Sequence, residues 1–263
     1  MAKPDRHSVF DAVADLYDRV RPTYPDALID DLIALSSLPD GGRVLEIGCG
    51  TGQLTCKLAR RGHQIDAVEL GPSLATIARG NLATFPRVTL HVGAFEEWPL
   101  PPEPYDLVVS ATAFHWIDPA VRFEKTARAL RPGGALAVVE THHVSGRDDA
   151  FFHEVQRCYE RHMPGTPPNL TLPAAATIEP SFDGPGVEQF APPQVRTYPY
   201  EATYATTEYV DVLNTYSGHI ELPAADRTAL LACVRELLDG RFGGHIRKQY
   251  LFTLITAQLQ RDS

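Results

Sequence analysis

The sequence predicts an α/β fold in which helices flank a parallel sheet, and three observations support this prediction. Between Gly42 and Val139, short runs rich in β-branched residues alternate with segments of helical periodicity, which is typical of successive strand–helix units. A glycine-rich turn joins the first of these runs to the start of a helix. Of the 263 residues, 44% are hydrophobic and 22% are charged, so the chain can bury a large core and is not disordered.

Five strands are predicted in this central region. In chain order they are Arg43–Ile47, Gln64–Glu69, Val88–Val92, Tyr105–Ser110 and Ala135–Glu140. A helix is predicted over Val121–Leu130. The turn Arg131-Pro132-Gly133-Gly134 separates this helix from the fifth strand, because proline and glycine end helices and form turns.

Helical patterns precede and follow the central region. Ser8 caps a predicted helix that runs through Tyr17, and a second helix follows Pro25. The apolar residues of the second helix at helical spacing are Leu28, Leu32, Ile33 and Leu35. Further along the chain, the patterns predict helices over 149–161, 207–214 and 224–238 and strands over 196–204 and 247–257. The prolines between Pro164 and Pro193 predict a long connection with little regular structure.

The charge balance argues against nucleic acid and membrane partners. Lys plus Arg number 24 and Asp plus Glu number 33, so the net charge is −9, and no basic run is present to neutralise phosphates. No stretch approaches the ~18 uninterrupted apolar residues of a membrane span, and the first residues lack an apolar signal core. We therefore expect a cytoplasmic protein that binds neither nucleic acid nor membrane.

The cysteines and histidines do not form a recognisable metal or disulfide framework. Cys49, Cys56, Cys158 and Cys233 lack paired short spacings, so we expect reduced thiols. A second group, without an accompanying acidic ligand, consists of His142, His143, His153, Cys158 and His162. No metal site is expected.

The glycine-rich turn has the features of a nucleoside-binding site. Gly48, Gly50 and Gly52 lie between a buried strand and a helix, where glycine allows close approach of a ligand to the backbone. Glu69 ends the next strand about 20 residues further on, where a carboxylate accepts hydrogen bonds from ribose hydroxyls. A dinucleotide fingerprint would require glycine at the position of Gln53, which argues against NAD and FAD.

The segment Glu46-Ile47-Gly48-Cys49-Gly50-Thr51-Gly52 resembles the first motif of the class I S-adenosylmethionine-dependent methyltransferases. The resemblance implies a Rossmann-like, seven-stranded, mostly parallel sheet whose last strand is antiparallel, with helices on both faces and a helical lid. It also implies an organisation into an N-terminal lid segment (1–40), the cofactor-binding core (41–145), a lid insertion with the sixth strand (146–205), a helical insertion (206–245) and the last core strand (246–263).

The same resemblance implies S-adenosyl-L-methionine as cofactor and S-adenosyl-L-homocysteine as product. The glycine turn would cradle the methionine end, Glu46 would hold its amino group through water, Glu69 the ribose diol, and Leu70 would pack on the adenine. The family often has aspartate where this chain has Ala94, so adenine recognition would use backbone near Ala94 and Phe95, or Glu96. The implied cofactor-binding residues are Tyr17, Arg21, Glu46, Gly48, Cys49, Gly50, Gly52, Glu69, Leu70, Ala94, Phe95 and Ala111.

The acceptor side is less well marked. His115 follows the fourth strand at the carboxyl edge of the sheet, where open α/β sheets bind ligands, and is the candidate catalytic base or acceptor-orienting residue. Alternatively, it hydrogen-bonds a loop or contacts the cofactor. The segment Phe114–Asp118 resembles a small-molecule branch that includes trans-aconitate methyltransferases. Trp116 is expected in the core.

Aromatic and cationic side chains elsewhere are candidates for binding the acceptor. Arg21 would pair with the cofactor carboxylate or with an acidic acceptor; alternatively, it is a surface arginine stacked on Tyr17 or Tyr24. The remaining candidates, aromatic side chains with polar tips, are Tyr209, Tyr216 and His219, for which ordinary packing is the alternative.

The resemblance implies transfer of a methyl group to an oxygen, nitrogen or carboxyl group. We expect a small-molecule acceptor, because the lid segments are long and basic surface is sparse. A non-catalytic S-adenosylmethionine-binding protein and an NAD-dependent oxidoreductase are the alternatives. We expect a monomer or a homodimer.

Overall fold

The computed structural model describes residues 13–260, and the predicted helix cap at Ser8 lies outside them. In chain order, the helices and strands are α1 (Ala14–Val20), α2 (Asp26–Leu35), β1 (Arg43–Ile47), α3 (Gln53–Arg60), β2 (Gln64–Glu69), α4 (Pro72–Asn81), β3 (Val88–Val92), β4 (Tyr105–Ala111), α5 (Arg122–Ala129), β5 (Leu130–Val144), α6 (Asp149–Glu154), α7 (Gln156–His162), β6 (Gln194–Ala205), α8 (Thr206–Leu213), α9 (Ser217–Ile220), α10 (Ala224–Arg241) and β7 (His245–Gln258). Short 3-10 helices lie at Phe114–Trp116, Ala175–Thr177 and Val187–Gln189.

The strands form one seven-stranded sheet in the order β3-β2-β1-β4-β5-β7-β6. β1 pairs in parallel with β2 and β4, β2 with β3, and β4 with β5. The predicted α/β, Rossmann-like fold is therefore confirmed. Because β1, β2 and β4 run in the same direction, the residues that follow them meet at one edge of the sheet.

The last strand runs against its neighbour, as predicted. Just after β7, the amide of Leu259 donates to the carbonyl of Gly134 at 2.8 Å. Further back along β7, the Thr253 hydroxyl donates to a Glu140 carboxylate oxygen at 3.3 Å. Residue numbers rise along β5 as they fall along β7, so this pair of strands is antiparallel and the sheet is mixed.

The described chain divides into two compact units. The sheet unit comprises Thr23–Thr141, Glu179–Tyr198 and 252–260; the helical unit comprises 13–22, His142–Ile178 and Pro199–Leu251. β5, β6 and β7 contribute residues to both units. This division places α2 with the sheet unit, whereas the sequence-based division grouped it with the N-terminal lid segment.

The sheet unit buries its central strands along nearly their whole length. Val44, Leu45, Leu107, Val108 and Leu136 have no exposed surface. Continuous apolar runs of this kind belong to parallel strands covered on both faces. β3, at the edge of the sheet, has a more exposed pattern, and the Val92 side chain is 51% exposed. Burial therefore decreases from the central strands to the edge strand β3.

The helical unit has its own apolar core and a disulfide bond. The core includes Phe151, Val212, Leu213, Leu230, Val234 and Leu238. The Cys158–Cys233 disulfide joins α7 to α10, so the prediction of reduced thiols is wrong for these two cysteines. Their 75-residue separation left no short spacing in the sequence, and packing of the two helices brings them together. Within residues 13–260, Cys49 and Cys56 form no disulfide bond.

Several predicted elements change at their ends. β5 begins at Leu130 and includes the predicted turn, because Leu130 pairs with Tyr105 across an irregularity in the register. The helix predicted over 149–161 is divided at Val155 into α6 and α7. Between Pro164 and Pro193 only two short 3-10 helices occur, which confirms the prediction of little regular structure there.

Residues 13–260 contain no helix with the length and apolarity that crossing a membrane requires. The same residues hold no cluster of three or more histidine, cysteine, aspartate or glutamate side chains arranged to bind a metal ion.

Candidate functional site

The glycine turn after β1 adopts a backbone that favours glycine. Gly48, Gly50 and Gly52 have φ values of +69°, +58° and +85°. A Cβ atom on Gly48 would lie 2.4 Å from the Cβ of Ala113, so packing also requires glycine there. A Cβ on Gly50 would meet no atom within 4 Å. Gly50 therefore combines a left-handed backbone with open space, which is room for a ligand to approach the chain.

Glu69 anchors the glycine turn to the end of β2. Its Oε2 accepts a hydrogen bond from the amide of Gly50, and its Oε1 accepts one from the amide of Gly71, both at 2.8 Å. The Glu69 side chain is only 6% exposed. Sequence reasoning missed this backbone role, because it depends on the pairing of β1 with β2.

We expect Glu69→Ala to weaken binding of S-adenosylhomocysteine about 10- to 100-fold and to lower the free energy of unfolding by about 1–3 kcal/mol. Both losses follow from the two backbone amides that would lose their acceptor. Titration calorimetry and denaturant unfolding measure them. Glu97→Ala, at an exposed position after β3, is the matched control and should change neither. An unchanged unfolding free energy in Glu69→Ala would contradict the anchoring role.

Glu46 is a buried carboxyl next to the same turn. It is 1% exposed, and the Thr55 hydroxyl of α3 donates to its Oε2 at 2.7 Å. Burial raises the pKa of Glu46 to about 8, the Thr55 hydrogen bond opposes this rise, and the charge of Glu69 adds to it. Glu46 is therefore mostly protonated at neutral pH in the ligand-free protein.

This raised pKa predicts a pH dependence of stability. In the unfolded chain Glu46 ionises near its ordinary pKa of 4.5, whereas in the folded chain it ionises near 8. Stability from the neutral carboxyl is complete below pH 4.5 and is lost as the pH rises towards 8. We expect Glu46→Gln to remove a decline on the order of 1 kcal/mol per pH unit within this window. Unfolding free energies at pH 5 and pH 8 measure it; Glu97→Gln should behave as the wild type.

Thr51 carries a polar group that sequence reasoning did not single out. Its side chain is 1% exposed, and within the described part of the chain its hydroxyl has no hydrogen-bond partner. The Thr51 carbonyl accepts from the Asn81 amide group at 3.0 Å, which holds the turn against the end of α4. Together with the open space at Gly50, this hydroxyl fits a polar ligand group at the turn.

The side chains of the loop after β3 are largely used in packing and in hydrogen bonds within the protein. Phe95 is 4% exposed and packs in the core of the sheet unit, with the Lys125 ammonium 5.1 Å from its ring centroid. The Glu96 Oε1 accepts from the amide of Asp118 at 3.0 Å. Ala94 and Leu70 are half-buried. The side chain of Phe95 therefore has a packing role in the core of the sheet unit.

The end of β4 lies beside the glycine turn. The buried Ser110 hydroxyl donates to the carbonyl of Ile47 at 2.9 Å, which ties the ends of β4 and β1 together. Ala111 is 9% exposed, and Thr112 has φ +59°, which is uncommon for a residue with a side chain. The Thr112 and Thr141 hydroxyl oxygens are 3.2 Å apart. This strained backbone position at the carboxyl edge of the sheet was also missed from the sequence.

His115 and Trp116 lie in the 3-10 helix that follows β4. Both side chains are exposed, and their ring centroids are 4.7 Å apart. Trp116 is 41% exposed, so its predicted core position is wrong: the short helix turns Phe114 inward, at 6% exposed, and Trp116 outward. Partial loss of hydration lowers the pKa of His115, Glu140 opposes this shift, and Arg122 adds to it. A pKa below its ordinary value leaves His115 neutral at pH 7 and able to accept a proton.

The remaining predicted residues lie in the helical unit. Arg21 donates from Nε to the Thr215 hydroxyl at 2.9 Å and from Nη2 to the Thr215 carbonyl at 2.7 Å. Its guanidinium carbon lies 4.9 Å from the Tyr17 ring centroid and 4.7 Å from that of Tyr216. The alternative given for Arg21 from the sequence, an arginine stacked on Tyr17 or Tyr24, predicted this contact with Tyr17.

Tyr209 and His219 are buried in the helical unit. Tyr209 is 3% exposed within its apolar core, which favours a packing role. His219 Nε2 lies 3.1 Å from the Tyr159 hydroxyl, and burial lowers the pKa of His219 to about 4. His219 is therefore a neutral hydrogen-bonding group at neutral pH.

Comparison with known proteins gives consistent matches. Residues 44–134 match the sequence model of a methyltransferase domain. An uncharacterized methyltransferase of Mycobacterium tuberculosis is 32% identical over 241 residues, covering 90% of this chain and 88% of that protein.

Solved structures share the fold. A proposed type II methyltransferase of Anaeromyxobacter dehalogenans has a TM-score of 0.64 at 24% identity, covering 92% of this chain and 99% of that chain. A phosphoethanolamine N-methyltransferase of Haemonchus contortus, solved with phosphomonomethylethanolamine and S-adenosylhomocysteine, has a TM-score of 0.51 at 17% identity, covering 99% of this chain and 58% of that chain. At these identities the likeness is one of fold.

Proposed function

We propose that this chain, which belongs to the class I S-adenosylmethionine-dependent methyltransferases, transfers the methyl group of S-adenosylmethionine to a small-molecule acceptor. The observation that carries the proposal is the glycine turn after β1. There, open space at Gly50, the unpartnered Thr51 hydroxyl and the buried carboxyls of Glu46 and Glu69 lie together.

The residues present at the turn fit this cofactor. When bound, S-adenosylmethionine supplies a sulfonium methyl group that is activated for displacement. Gly50 leaves room for its methionine end, and Thr51 offers a hydroxyl for a polar group there. Glu46 would hold the amino group of the cofactor through water, and Glu69 would accept hydrogen bonds from its ribose hydroxyls. Because Glu69 already holds two backbone amides, it would position the turn as well as bind the ribose.

The acceptor side of the proposal rests on His115. It lies at the carboxyl end of β4, beside the strand that precedes the glycine turn, and its neutral ring can remove a proton from a hydroxyl or ammonium acceptor. The protein mainly has to align acceptor and methyl group, since proximity contributes several kcal/mol to such displacements. The net charge of −9 argues for a small molecule rather than a nucleic acid.

The test has two parts. Titration calorimetry with S-adenosylhomocysteine and with NADH should show binding of the first and none of the second. Incubation with methyl-labelled S-adenosylmethionine and fractionated small-molecule extracts should then label an acceptor. Binding without any labelled product would favour the non-catalytic alternative, and binding of NADH alone would overturn the proposal.

A further inference from the structure

We infer that the helical unit contains an anion-binding cluster centred on Lys248, which takes a carboxylate or phosphate group. The inference rests on the proposed function in one respect, namely that the anionic group belongs to the methyl acceptor. The cluster consists of Lys248, His143, Arg21, Tyr216 and Tyr250, all within the helical unit.

Lys248 is a buried cation on β7. Side chains along this strand alternate, and Lys248 shares its inward face with Ile246 and Tyr250. It is 3% exposed, and its ammonium nitrogen lies 4.7 Å from the Phe152 ring centroid and 5.4 Å from that of Tyr250. Both of these partners are aromatic rings, and among residues 13–260 no carboxylate or hydrogen-bond acceptor is paired with the ammonium.

The next residue on the strand shows the opposite arrangement. Arg247 points to the outward face, and its side chain is 42% exposed. It donates from Nη2 to Asp148 Oδ1 at 2.7 Å, and Asp148 also accepts from its backbone amide. The exposed cation therefore has a carboxylate partner, whereas the buried cation does not.

The other members of the cluster, all among the described residues, are polar, and none of them is acidic. The His143 ring lies between Tyr216 and Tyr250, at centroid distances of 5.1 and 5.4 Å. His143 Nδ1 is buried and has no hydrogen-bond partner within the described residues. Arg21 stacks on Tyr216 at 4.7 Å. The pKa of His143 is lowered to about 3, mainly by burial. The charged or titratable groups that lower it further are Lys248, Arg21, His142 and His219.

An ammonium without a counter-ion is strongly disfavoured in a protein interior unless another group offsets its desolvation. Burial lowers the pKa of Lys248 to about 8, so the side chain still carries its charge at neutral pH. An anion offsets this cost directly, and a neutral His143 can add a hydrogen-bond donor. Carboxylate and phosphate share this chemistry, so the cluster is suited to an acidic acceptor.

The experiment measures anion-dependent thermal stabilisation of the full chain. Inorganic phosphate and malonate serve as separate probes, with sodium chloride balancing ionic strength. We expect one of them to raise the melting temperature saturably, with a dissociation constant below about 10 mM. Stabilisation by phosphate would indicate a phosphorylated acceptor, and stabilisation by malonate a carboxylic acid.

Three variants decide whether Lys248 is responsible. Lys248→Met should weaken binding of the anion at least about tenfold. It should leave the melting temperature of the anion-free protein equal or higher, because it removes a buried unpaired charge. His143→Phe keeps the ring packing and should weaken binding of the anion roughly a few-fold, because one hydrogen bond is lost. Arg157→Met removes an exposed charge from the same unit and should bind the anion as the wild type does.

The inference would be overturned by the absence of anion-specific stabilisation, by undiminished anion binding in Lys248→Met, or by a Lys248→Met protein that is less stable without anion. A parallel loss of S-adenosylhomocysteine affinity in Lys248→Met would also overturn it, because the anion would then be the cofactor carboxylate. Failure of the wild type to bind S-adenosylhomocysteine would instead contradict the proposed function, while the anion result would remain readable.

Discussion

Gly50→Val is expected to weaken binding of S-adenosylhomocysteine by roughly 100-fold or more. Two effects combine at this position. The φ of +58° lies in the left-handed region, which a β-branched residue tolerates poorly. The valine side chain would also fill the open space beside Gly50, where a Cβ atom would meet no other atom within 4 Å. Titration calorimetry on the folded variant measures the loss.

Gly62→Val is the matched control for this prediction. Gly62 has φ +86°, a Cβ there would meet no atom within 4 Å, and it follows α3 in the same unit. Both substitutions impose similar backbone strain, but Gly62 is not part of the proposed site. We expect Gly62→Val to lose stability while keeping affinity. Should Gly50→Val fail to fold, Gly50→Ala provides the smaller version of the same change. Wild-type affinity in a folded Gly50→Val protein would refute the placement of the cofactor.

His115→Ala is expected to reduce kcat on the order of 100-fold if the acceptor loses a proton during transfer, while changing cofactor affinity less than about twofold. The exposed ring lies at the carboxyl end of β4 and has a lowered pKa, so it is neutral at pH 7 and able to accept a proton. In the wild type, kcat/KM should fall as the pH drops below 6.5, because His115 becomes protonated. This acidic limb should disappear in the variant.

His153→Ala, which removes an exposed histidine in the helical unit, is the control for this experiment and should leave kcat unchanged. Equal losses of kcat and cofactor affinity in His115→Ala would identify His115 as a cofactor contact. A carboxylate acceptor needs no base, and in that case the pH profile would lack the histidine limb. That outcome would agree with malonate binding at the Lys248 cluster.

Local patterns along the chain were sufficient to predict the order of the strands and helices and the position of the glycine turn. The five central strands and the turn from Gly48 to Gly52 arise from short-range rules: apolar runs form buried strands, and glycine occupies left-handed positions. The nucleoside-binding role proposed for the glycine turn rests on the same kind of signal, because its spacing lies within a single strand–turn–helix unit.

Properties that depend on contacts distant in sequence were not predictable. Glu69 is tied to Gly50 and Gly71 because β1 and β2 pair, and Trp116 is exposed because a 3-10 helix turns it outward. The Cys158–Cys233 disulfide forms because α7 and α10 pack together. Lys248 is the clearest example of a property that the sequence alone does not predict. Its neighbours in the sequence include Arg247, which has an acidic partner, and only packing in three dimensions leaves Lys248 buried without one. Burial and charge pairing depend on which elements meet, and a linear pattern does not contain that information.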